Sequence, residues 1–534
     1  MNNKAKKAIN DSARVDWQDE TLWLVRGKRD RLAMQIPEWE ALRDAACAIK
    51  SYSNSHLDTL LEEFEKNAVA NGATVHWARD AREYREIIGG LLKEHGVRHF
   101  VKSKSMLSEE CGLVPYLEAM GIEAVESDLG ERIIQLMGAK PSHIVLPAVH
   151  VKREQIADLF AAEMPEQMLA QARAEMAAGD GRLAAGGIEG LTSEGSKGLP
   201  ENLNEIPREL FNDPAFLTRV ARRALREKFL NADAAMTGAN FAVASTGEVV
   251  VCTNEGNADM GTSCAPLQIA AFGIDKIVPD RRSLGVFTRL LARSATGQAV
   301  TAYTTHYSAP KKGCEFHIII VDNGRSRILA DKEHRKLLNC LRCGACMNTC
   351  PVYRRIGGYS YSYFIPGPIG INLGMTPVAG AHKENLSLCS LCHSCSCVCP
   401  AKVDLAEQIY LWRQHYHNGK IKHLASSGMN FVMNHPCLLE TGLKLAPAGV
   451  SALKAMGLKW GKGRDLPDFK SSAEKAGQAE QAGQTEQAAA TKKAGNTSTV
   501  GKAGKAKQAG QAGQASATKK AGSKAAVGTK SKTN

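Results

Sequence analysis

The sequence lacks the long apolar run that a membrane-spanning helix needs, since no stretch of its 534 residues reaches roughly 18 consecutive apolar side chains. The basic residues near the N-terminus are not followed by an apolar core, so we expect no secretory signal. No Gly-x-Gly-x-x-Gly follows a predicted strand, so a nicotinamide or flavin site of the Rossmann type has no support. These absences favour a cytoplasmic protein without a transmembrane segment.

The C-terminal tail accounts for most of the net positive charge. The chain has a formal net charge of +13, and residues 470–534 contain twelve Lys, no Arg and three Glu, which leaves only +4 for the rest. No aromatic residue follows Phe469. Because such a segment cannot bury enough apolar surface to offset its ordering entropy, we predict a disordered tail at 466–534. Without Arg or aromatic side chains, the tail gives little basis for nucleic-acid binding, and we expect no nucleic-acid partner.

The cysteines are distributed as metal ligands rather than as disulfide partners. Nine of the fifteen lie between residues 340 and 399, and the other six are scattered singly. A disulfide framework would be denser and would belong to a smaller chain. We therefore expect a reducing compartment, in which the isolated cysteines serve as small buried apolar side chains. These six are Cys47, Cys111, Cys252, Cys264, Cys314 and Cys437.

Helical and strand patterns alternate through the first two thirds of the chain. Residues 36–70 show helical spacing of apolar side chains, and from about residue 73 short apolar runs alternate with helical stretches. This alternation is typical of β-α units around a buried, largely parallel sheet. Further helices are predicted at 79–95, 152–176, about 214–229 and 283–295. The predicted strands are 73–78, 97–104, 123–128, 143–148, 248–253, 268–278, 298–308 and 314–322.

Two cysteine motifs carry the strongest chemical signal. Residues 340–351 and 389–400 both fit C-x2-C-x2-C-x3-C-P, the arrangement of ferredoxins with two [4Fe–4S] clusters. The spacing lets three thiolates converge on one cluster, while the fourth Cys points to the neighbouring cluster. The 38 residues between Cys350 and Cys389 are too many for a minimal ferredoxin repeat, so we infer an α-helical ferredoxin domain.

In the crossed arrangement of such ferredoxins, each cluster is bound by the first three Cys of one motif and the fourth Cys of the other. Two zinc sites, or one cluster with a degenerate second motif, would be alternatives, but neither motif lacks a Cys. Cys397 is surplus to both motifs and is expected to be a bystander. Cluster 1 would be bound by Cys340, Cys343, Cys346 and Cys399, and cluster 2 by Cys389, Cys392, Cys395 and Cys350.

The predicted α/β fold is divided into five segments. An insertion rich in Gly, Ser, Asn and Pro interrupts the α/β domain at 177–206. The segments are an N-terminal helical part at 1–69, the α/β domain at 70–330, the two-cluster ferredoxin domain at 331–405, a helical part at 406–465 and the tail at 466–534.

Weaker signals lie where strands of the α/β domain should end. Polar and small residues at 237–248 and 253–257 are placed where open α/β sheets bind ligands, but they also suit turns. Residues 102–105, Lys-Ser-Lys-Ser, could meet an anion or form a solvated loop. Residues 190–197 narrowly miss a phosphate-loop pattern and are interpreted as a loop. Four histidines show no ligand spacing and are expected in or beside the core: His143, His150, His306 and His317.

With these motifs in place, the chain resembles the lactate utilisation protein B family, whose members join a LUD domain to a ferredoxin domain, over about residues 25–460. The resemblance implies an α/β domain similar to the ribose-phosphate isomerase/CoA-transferase superfamily. It depends on the two cysteine motifs and on residues 101–110, 126–131, 141–150, 237–244 and 367–370.

The resemblance also implies a function. The family belongs to a three-protein iron–sulfur system that oxidises L-lactate to pyruvate without a flavin, together with a cysteine-rich-domain protein and a second LUD protein. We therefore expect an electron-transfer subunit of an oxidoreductase complex rather than a complete enzyme. Catalytic residues and the terminal electron acceptor do not follow from the sequence. Two alternatives stay open, an electron-transfer adaptor for a different small-acid dehydrogenase and a cluster-based redox or iron regulator.

Overall fold

Four helices precede the first strand of the protein. The computed structural model describes residues 3–177, 200–375, 381–416, 420–438, 440–441 and 444–445, and residues 1–422 form one compact unit. The third and fourth helices confirm the helical spacing seen at 36–70. Apolar side chains of the second and third helices share one core with the cysteine motifs. The four helices are α1 (Asn3–Asn10), α2 (Ser12–Met34), α3 (Trp39–Ser55) and α4 (Leu57–Ala70).

In the part of the chain that the structure describes, ten strands form two sheets. The larger sheet has six parallel strands in the order β1-β10-β7-β4-β2-β3, and the smaller has the order β8-β5-β6-β9 with an antiparallel β5-β6 hairpin. The α/β prediction is therefore confirmed. The strands are β1 (Thr74–Ala78), β2 (His99–Lys102), β3 (Glu123–Glu126), β4 (Ala234–Gly238), β5 (Phe241–Val243), β6 (Glu248–Thr253), β7 (Leu267–Gly273), β8 (Ile277–Val278), β9 (Tyr303–Tyr307) and β10 (Glu315–Val321).

The parallel sheet is covered on both faces, which explains its continuous apolar strands. Along β10, Ile319 and Val321 pack in the core beneath the helices after β1 and β2, whereas Ile318 and Ile320 pack against α4 and the smaller sheet. Successive side chains of a strand point to opposite faces, so a strand buried on both sides needs apolar residues at every position.

The remaining helices surround the sheets or belong to the cysteine region. Asp213 caps its helix as predicted, since its carboxylate accepts from the backbone N–H of Phe216 at 3.0 Å. The helices are α5 (Ala81–Glu94), α6 (Met106–Glu110), α7 (Leu113–Ala119), α8 (Leu129–Leu136), α9 (Arg153–Glu163), α10 (Pro165–Ala177), α11 (Arg208–Phe211), α12 (Pro214–Leu230), α13 (Asn257–Cys264), α14 (Arg281–Thr296), α15 (Arg325–Ala330), α16 (Ala345–Thr349), α17 (Pro351–Ile356), α18 (Gly367–Leu373), α19 (Ser394–Val398), α20 (Leu405–Tyr416) and α21 (Lys420–Met433).

Several predictions about individual elements were wrong. Residues 143–148 form no strand, because the His143 ring accepts the N–H of Val145 and of Leu146, both at 3.0 Å, and closes a turn. The single helix predicted at 152–176 is two helices, since Pro165 cannot continue the first one. The short strands β4 and β5 were missed, because their Ala, Gly and Thr residues carry no clear alternation.

Parts of the sequence-based scheme lie outside the described residues. These are the tail predicted at 466–534, residues 178–199 of the insertion with the loop at 190–197, and much of the helical part predicted at 406–465. Of the second compact unit, which begins at residue 423, the structure describes the end of α21 and a few residues up to 445. Within the described part of the chain, no helix is long and apolar enough to cross a membrane.

Candidate metal centre and adjoining cavity

The two cysteine motifs adopt the same local backbone conformation. The residue before the second Cys of each motif has a positive φ, +58° at Arg342 and +55° at Leu391, and so has the residue after it, +77° at Gly344 and +58° at His393. Residues other than Gly seldom adopt this left-handed region, and such residues cluster at functional sites. These positive φ values bend the backbone tightly around the second Cys of each motif.

The fourth cysteine of each motif ends a short helix. Helix α16 leads into Cys350 and helix α19 leads into Cys399, and both thiols are buried. Pro follows each, and Pro351 starts α17 with Cys350 as its N-cap. The fourth thiol is therefore displaced from the turn that holds the first three.

Backbone N–H groups donate to the sulfurs at equivalent places in the two motifs. The first sulfurs, of Cys340 and Cys389, accept from the residues two positions later at 3.4 and 3.3 Å. The fourth sulfurs, of Cys350 and Cys399, accept from Tyr353 at 3.4 Å and from Val403 at 3.3 Å. Hydrogen bonds of this kind favour a sulfur that carries negative charge, as a cluster ligand does.

Electrostatic interactions join the first three thiols of motif one to the last thiol of motif two. Burial is the main cause that raises the pKa of Cys343 and of Cys399 to about 12. Cys399 and Cys340 contribute to the pKa shift of Cys343, and Cys340 contributes to that of Cys399. Burial also raises the pKa of Cys346 well above its ordinary value, with added contributions from Cys340, Cys343 and Cys399. The four thiols predicted for cluster 1 therefore lie near one another.

The other four thiols form a second group. Burial is the main cause that raises the pKa of Cys350 to about 11 and that of Cys395 to about 12, and Cys389 and Cys392 contribute to both shifts. Cys395 also contributes to the raised pKa of Cys346, so the two groups approach each other there. Cys392 is exposed, whereas Cys350 and Cys395 are buried.

The donor set fits iron–sulfur chemistry. Each group consists of four thiols without a His or carboxylate ligand, which is the usual ligand set of a [4Fe–4S] cluster. Buried thiols with a raised pKa keep their protons unless a metal stabilises the thiolates. Among the described residues, no group of three or more His, Cys, Asp and Glu side chains is arranged around a single ion.

Two arginines from the N-terminal helices hold the end of the second motif. Arg43 donates to the carbonyl oxygen of Cys399 at 3.0 Å and to that of Cys397 at 2.8 Å, and Arg29 donates to Val398 at 3.2 Å. The side chain of Cys397 is exposed. The sequence analysis missed both arginines, although Arg43 lies on the buried face of a helix whose spacing was predicted.

A cavity of about 240 Å³ lies between the first motif and the carboxyl ends of the parallel strands. Segments that follow β2, β4, β7 and β10 contribute to its wall, which is where open α/β sheets bind ligands. Cys343 and its neighbour Arg342 form part of the opposite wall. The lining includes Ser103, Lys104, Ser105, Asn240, Thr253, Asn257, Lys276 and Arg325.

For the polar segments noted in the sequence, either ligand binding or a role in turns and loops was left open, and the structure contains residues of both kinds. Asn240 serves the backbone, since its Oδ1 accepts from the N–H of Cys252 at 2.8 Å. Lys102 is buried and pairs with Glu126 at 2.7 Å, so it is not the free cation that an anion site would need. Asn257 and residues 103–105 line the cavity.

A charged cluster beneath the cavity was not predicted. Asp275 is buried and pairs with Arg325 at 2.7 Å and with Arg342 at 3.7 Å, and Arg325 also pairs with Glu110 at 2.9 Å. The signal in the sequence was the pair Asp275-Lys276, which interrupts an apolar run predicted as one strand. The run breaks there into β7, a 3-10 turn and β8.

Three of the four histidines lie in or beside the core, as expected. His143 is fully buried, and its Nε2 is 3.0 Å from Oδ1 of Asn348 in helix α16. His317 is buried beside His76, with 2.9 Å between ring nitrogens. His150 is partly buried, whereas His306 is exposed on β9, so the expectation was wrong for His306.

Comparisons with known protein families match the α/β domain and the cysteine region as two separate domains. Residues 61–329 match the LUD domain family, and residues 336–403 match the 4Fe-4S dicluster domain family. A crystal structure of a duf162 family protein from Deinococcus radiodurans is 12% identical and covers 50% of this chain and 98% of its own, with a TM-score of 0.24. That score is too low to support any conclusion.

Relatives match over most of their length. The uncharacterized electron transport protein YkgF of Escherichia coli (strain K12) is 34% identical over 466 residues, covering 83% of this chain and 89% of its own. Lactate utilization protein B of Shouchella clausii is 36% identical, covering 77% and 80%, and that of Geobacillus thermodenitrificans is 37% identical, covering 79% and 83%. The chain therefore belongs to the lactate utilization protein B family, with a LUD domain followed by a 4Fe-4S dicluster domain.

Proposed function

We propose that the chain binds two [4Fe–4S] clusters by crossed ligation and transfers electrons in the oxidation of L-lactate to pyruvate. Cluster 1 would be held by Cys340, Cys343, Cys346 and Cys399, and cluster 2 by Cys389, Cys392, Cys395 and Cys350. The observation that supports the proposal is that thiols of one motif raise the pKa of the fourth thiol of the other, Cys340 that of Cys399 and Cys389 that of Cys350.

The protein buries most of these cysteine ligands and fixes their positions by backbone hydrogen bonds. When bound, [4Fe–4S] clusters take up and release single electrons at potentials set by charge, hydrogen bonds and solvent exposure. Buried thiols and the four N–H donors to sulfur exclude water and favour the charged sulfurs. The more exposed second group, which contains Cys392, would face an electron partner.

The lactate role is proposed from the relatives. Two of them are described as lactate utilization protein B, and YkgF is described as an electron transport protein. We propose that this chain works without a flavin, in a complex with a cysteine-rich-domain protein and a second LUD protein. Its electron acceptor stays open.

Iron analysis tests the cofactor proposal. Anaerobically purified protein is expected to contain about eight iron and eight acid-labile sulfide per chain, since each of two clusters has four of each. After dithionite reduction, the EPR spectrum should show spin coupling, because the two ligand groups approach each other at Cys346 and Cys395. Zinc, or about four iron with one simple signal, would rule out the crossed assignment.

Reconstitution tests the functional proposal. The chain alone, loaded with clusters, should oxidise L-lactate with an artificial acceptor very slowly, and the two partner proteins should raise the rate at least a hundredfold. The matched control is the partner pair without this chain. Rapid turnover by the single chain would contradict the subunit role. Normal growth on lactate after deletion would favour a different small-acid dehydrogenase.

A further inference from the structure

The cavity beside Cys343 contains polar groups that the protein itself leaves without partners. Asn257 is buried, and its Oδ1 accepts no hydrogen bond from the described residues, while its Nδ2 donates to Ser127 at 3.2 Å. The hydroxyl of Thr253 and Nη1 of Arg342 are also buried without a hydrogen-bond partner in the described part of the chain. Unpaired buried polar atoms are rare because each costs about 1–3 kcal/mol, so three around one cavity indicate a polar ligand.

Positive charge exceeds negative charge at the inner end of this cavity. Arg325, Arg342 and Lys276 gather around only two carboxylates, Asp275 and Glu110. Within the described residues Lys276 makes no hydrogen bond or ion pair, although it lines the cavity. Lys276 is half-buried and interacts with Asp275, a carboxylate that Arg325 and Arg342 already pair with, so an anion would complete the site.

The other charged groups of the lining are already engaged. Lys104 pairs with Glu131 at 3.2 Å, and Asp128 accepts from the N–H of Glu131 at 3.1 Å as the cap of α8. Glu255 is exposed, as are Asn254 and Gln298, which mark the mouth. The free positive charge is therefore at the inner end, next to the first cysteine motif.

We infer that this cavity binds a small 2-hydroxy carboxylate against the cluster 1 side of the protein. Lys276 and Arg342 would bind the carboxylate, and the acceptor oxygen of Asn257 would suit the ligand hydroxyl. The volume of about 240 Å³ lies below the range of drug-sized pockets and suits an acid of a few carbons. The inference deepens the proposed function and rests on it, because it places the organic substrate in this subunit rather than in a partner.

A different explanation of the same cations can be separated from this one. Lys276 and Arg342 both interact electrostatically with Cys340, so they could serve only to offset the negative charge of a thiolate-bound cluster. In that case they would set the reduction potential and bind no organic anion. Binding and potential must therefore be measured on the same variants.

Titration calorimetry on the anaerobic holoprotein tests the inference. L-Lactate should bind, and lactamide, its neutral amide, should bind at least tenfold more weakly. Lys276→Gln should weaken lactate binding about tenfold or more, as loss of a hydrogen bond to a charged group does. Thr253→Val, which adds no charge and lies outside the cysteine motifs, should weaken it several-fold. The control is Lys312→Gln, an exposed lysine in the loop before β10.

The EPR spectrum of each variant shows whether its clusters are intact. If Lys276→Gln has lost its clusters through a folding defect, lactate binding by Thr253→Val tests the inference instead. Absence of lactate binding to intact holoprotein would overturn the inference. So would lactate binding unchanged in Lys276→Gln and Thr253→Val, with a shifted cluster potential only in the former. Lactate turnover by the reconstituted complex without binding to this chain would overturn the inference but leave the proposed function standing. Lactate binding to this chain without lactate turnover in the complex would support the inference and contradict the proposed function.

Discussion

Cys340→Ser and Cys399→Ser are expected to destroy the same EPR signal, although the two residues belong to different motifs. Both thiols lie in the group that contains Cys343, and the Cys340 thiol acts directly on the pKa of Cys399. Each variant should lose about half of the iron, or should retain a three-iron cluster at that site. The measurement is iron content together with EPR of the dithionite-reduced variants.

The opposite pair gives the matched comparison. Cys350→Ser and Cys389→Ser should both damage the second signal and leave the first. Cys397→Ser is the control for a cysteine in the same segment, since Cys397 is exposed and surplus to both groups. If Cys340→Ser and Cys350→Ser lost the same signal, each motif would bind its own cluster, and the crossed assignment would be wrong.

Asp275→Asn is expected to destabilise the protein severely. Burial by itself would raise the pKa of Asp275, but Arg325 and Arg342 hold that pKa well below its ordinary value. The isosteric amide would leave two buried guanidinium groups with a single carboxylate, Glu110. Breaking a buried pair in this way costs about 3–5 kcal/mol. The stabilisation exists above the ordinary pKa of an aspartate and is lost as the pH falls.

Thermal unfolding under anaerobic conditions measures this effect. The midpoint of Asp275→Asn should fall by several degrees, whereas Asp44→Asn should change it little, because Asp44 pairs with Lys402 on the surface and such pairs contribute at most about 1 kcal/mol. Equal midpoints for Asp275→Asn and the unmodified protein would show that the charged cluster does not stabilise the fold.

The local spacing of apolar residues was sufficient to predict the most regular strands and helices. Strands β6 and β10 and helices α5, α12 and α14 were predicted because burial on both sheet faces, or on one helix face, leaves a regular apolar pattern. Residues 143–148 have a similarly apolar pattern but form a turn, since a single side chain, that of His143, captures two backbone N–H groups. Such a local hydrogen bond has no periodic signature.

The sequence by itself determined the family and the α/β class and predicted the eight cysteine ligands, because the spacing of the motifs and the period of buried strands are local properties of the chain. Only the tertiary structure placed Asp275, Lys276, Arg325 and Arg342 together at one end of a cavity beside Cys343. These residues come from chain segments up to 67 positions apart, as their numbers show. Asp275 pairs with Arg325 and Arg342 only across space, and a sequence pattern contains no term for the desolvation that makes such pairing necessary.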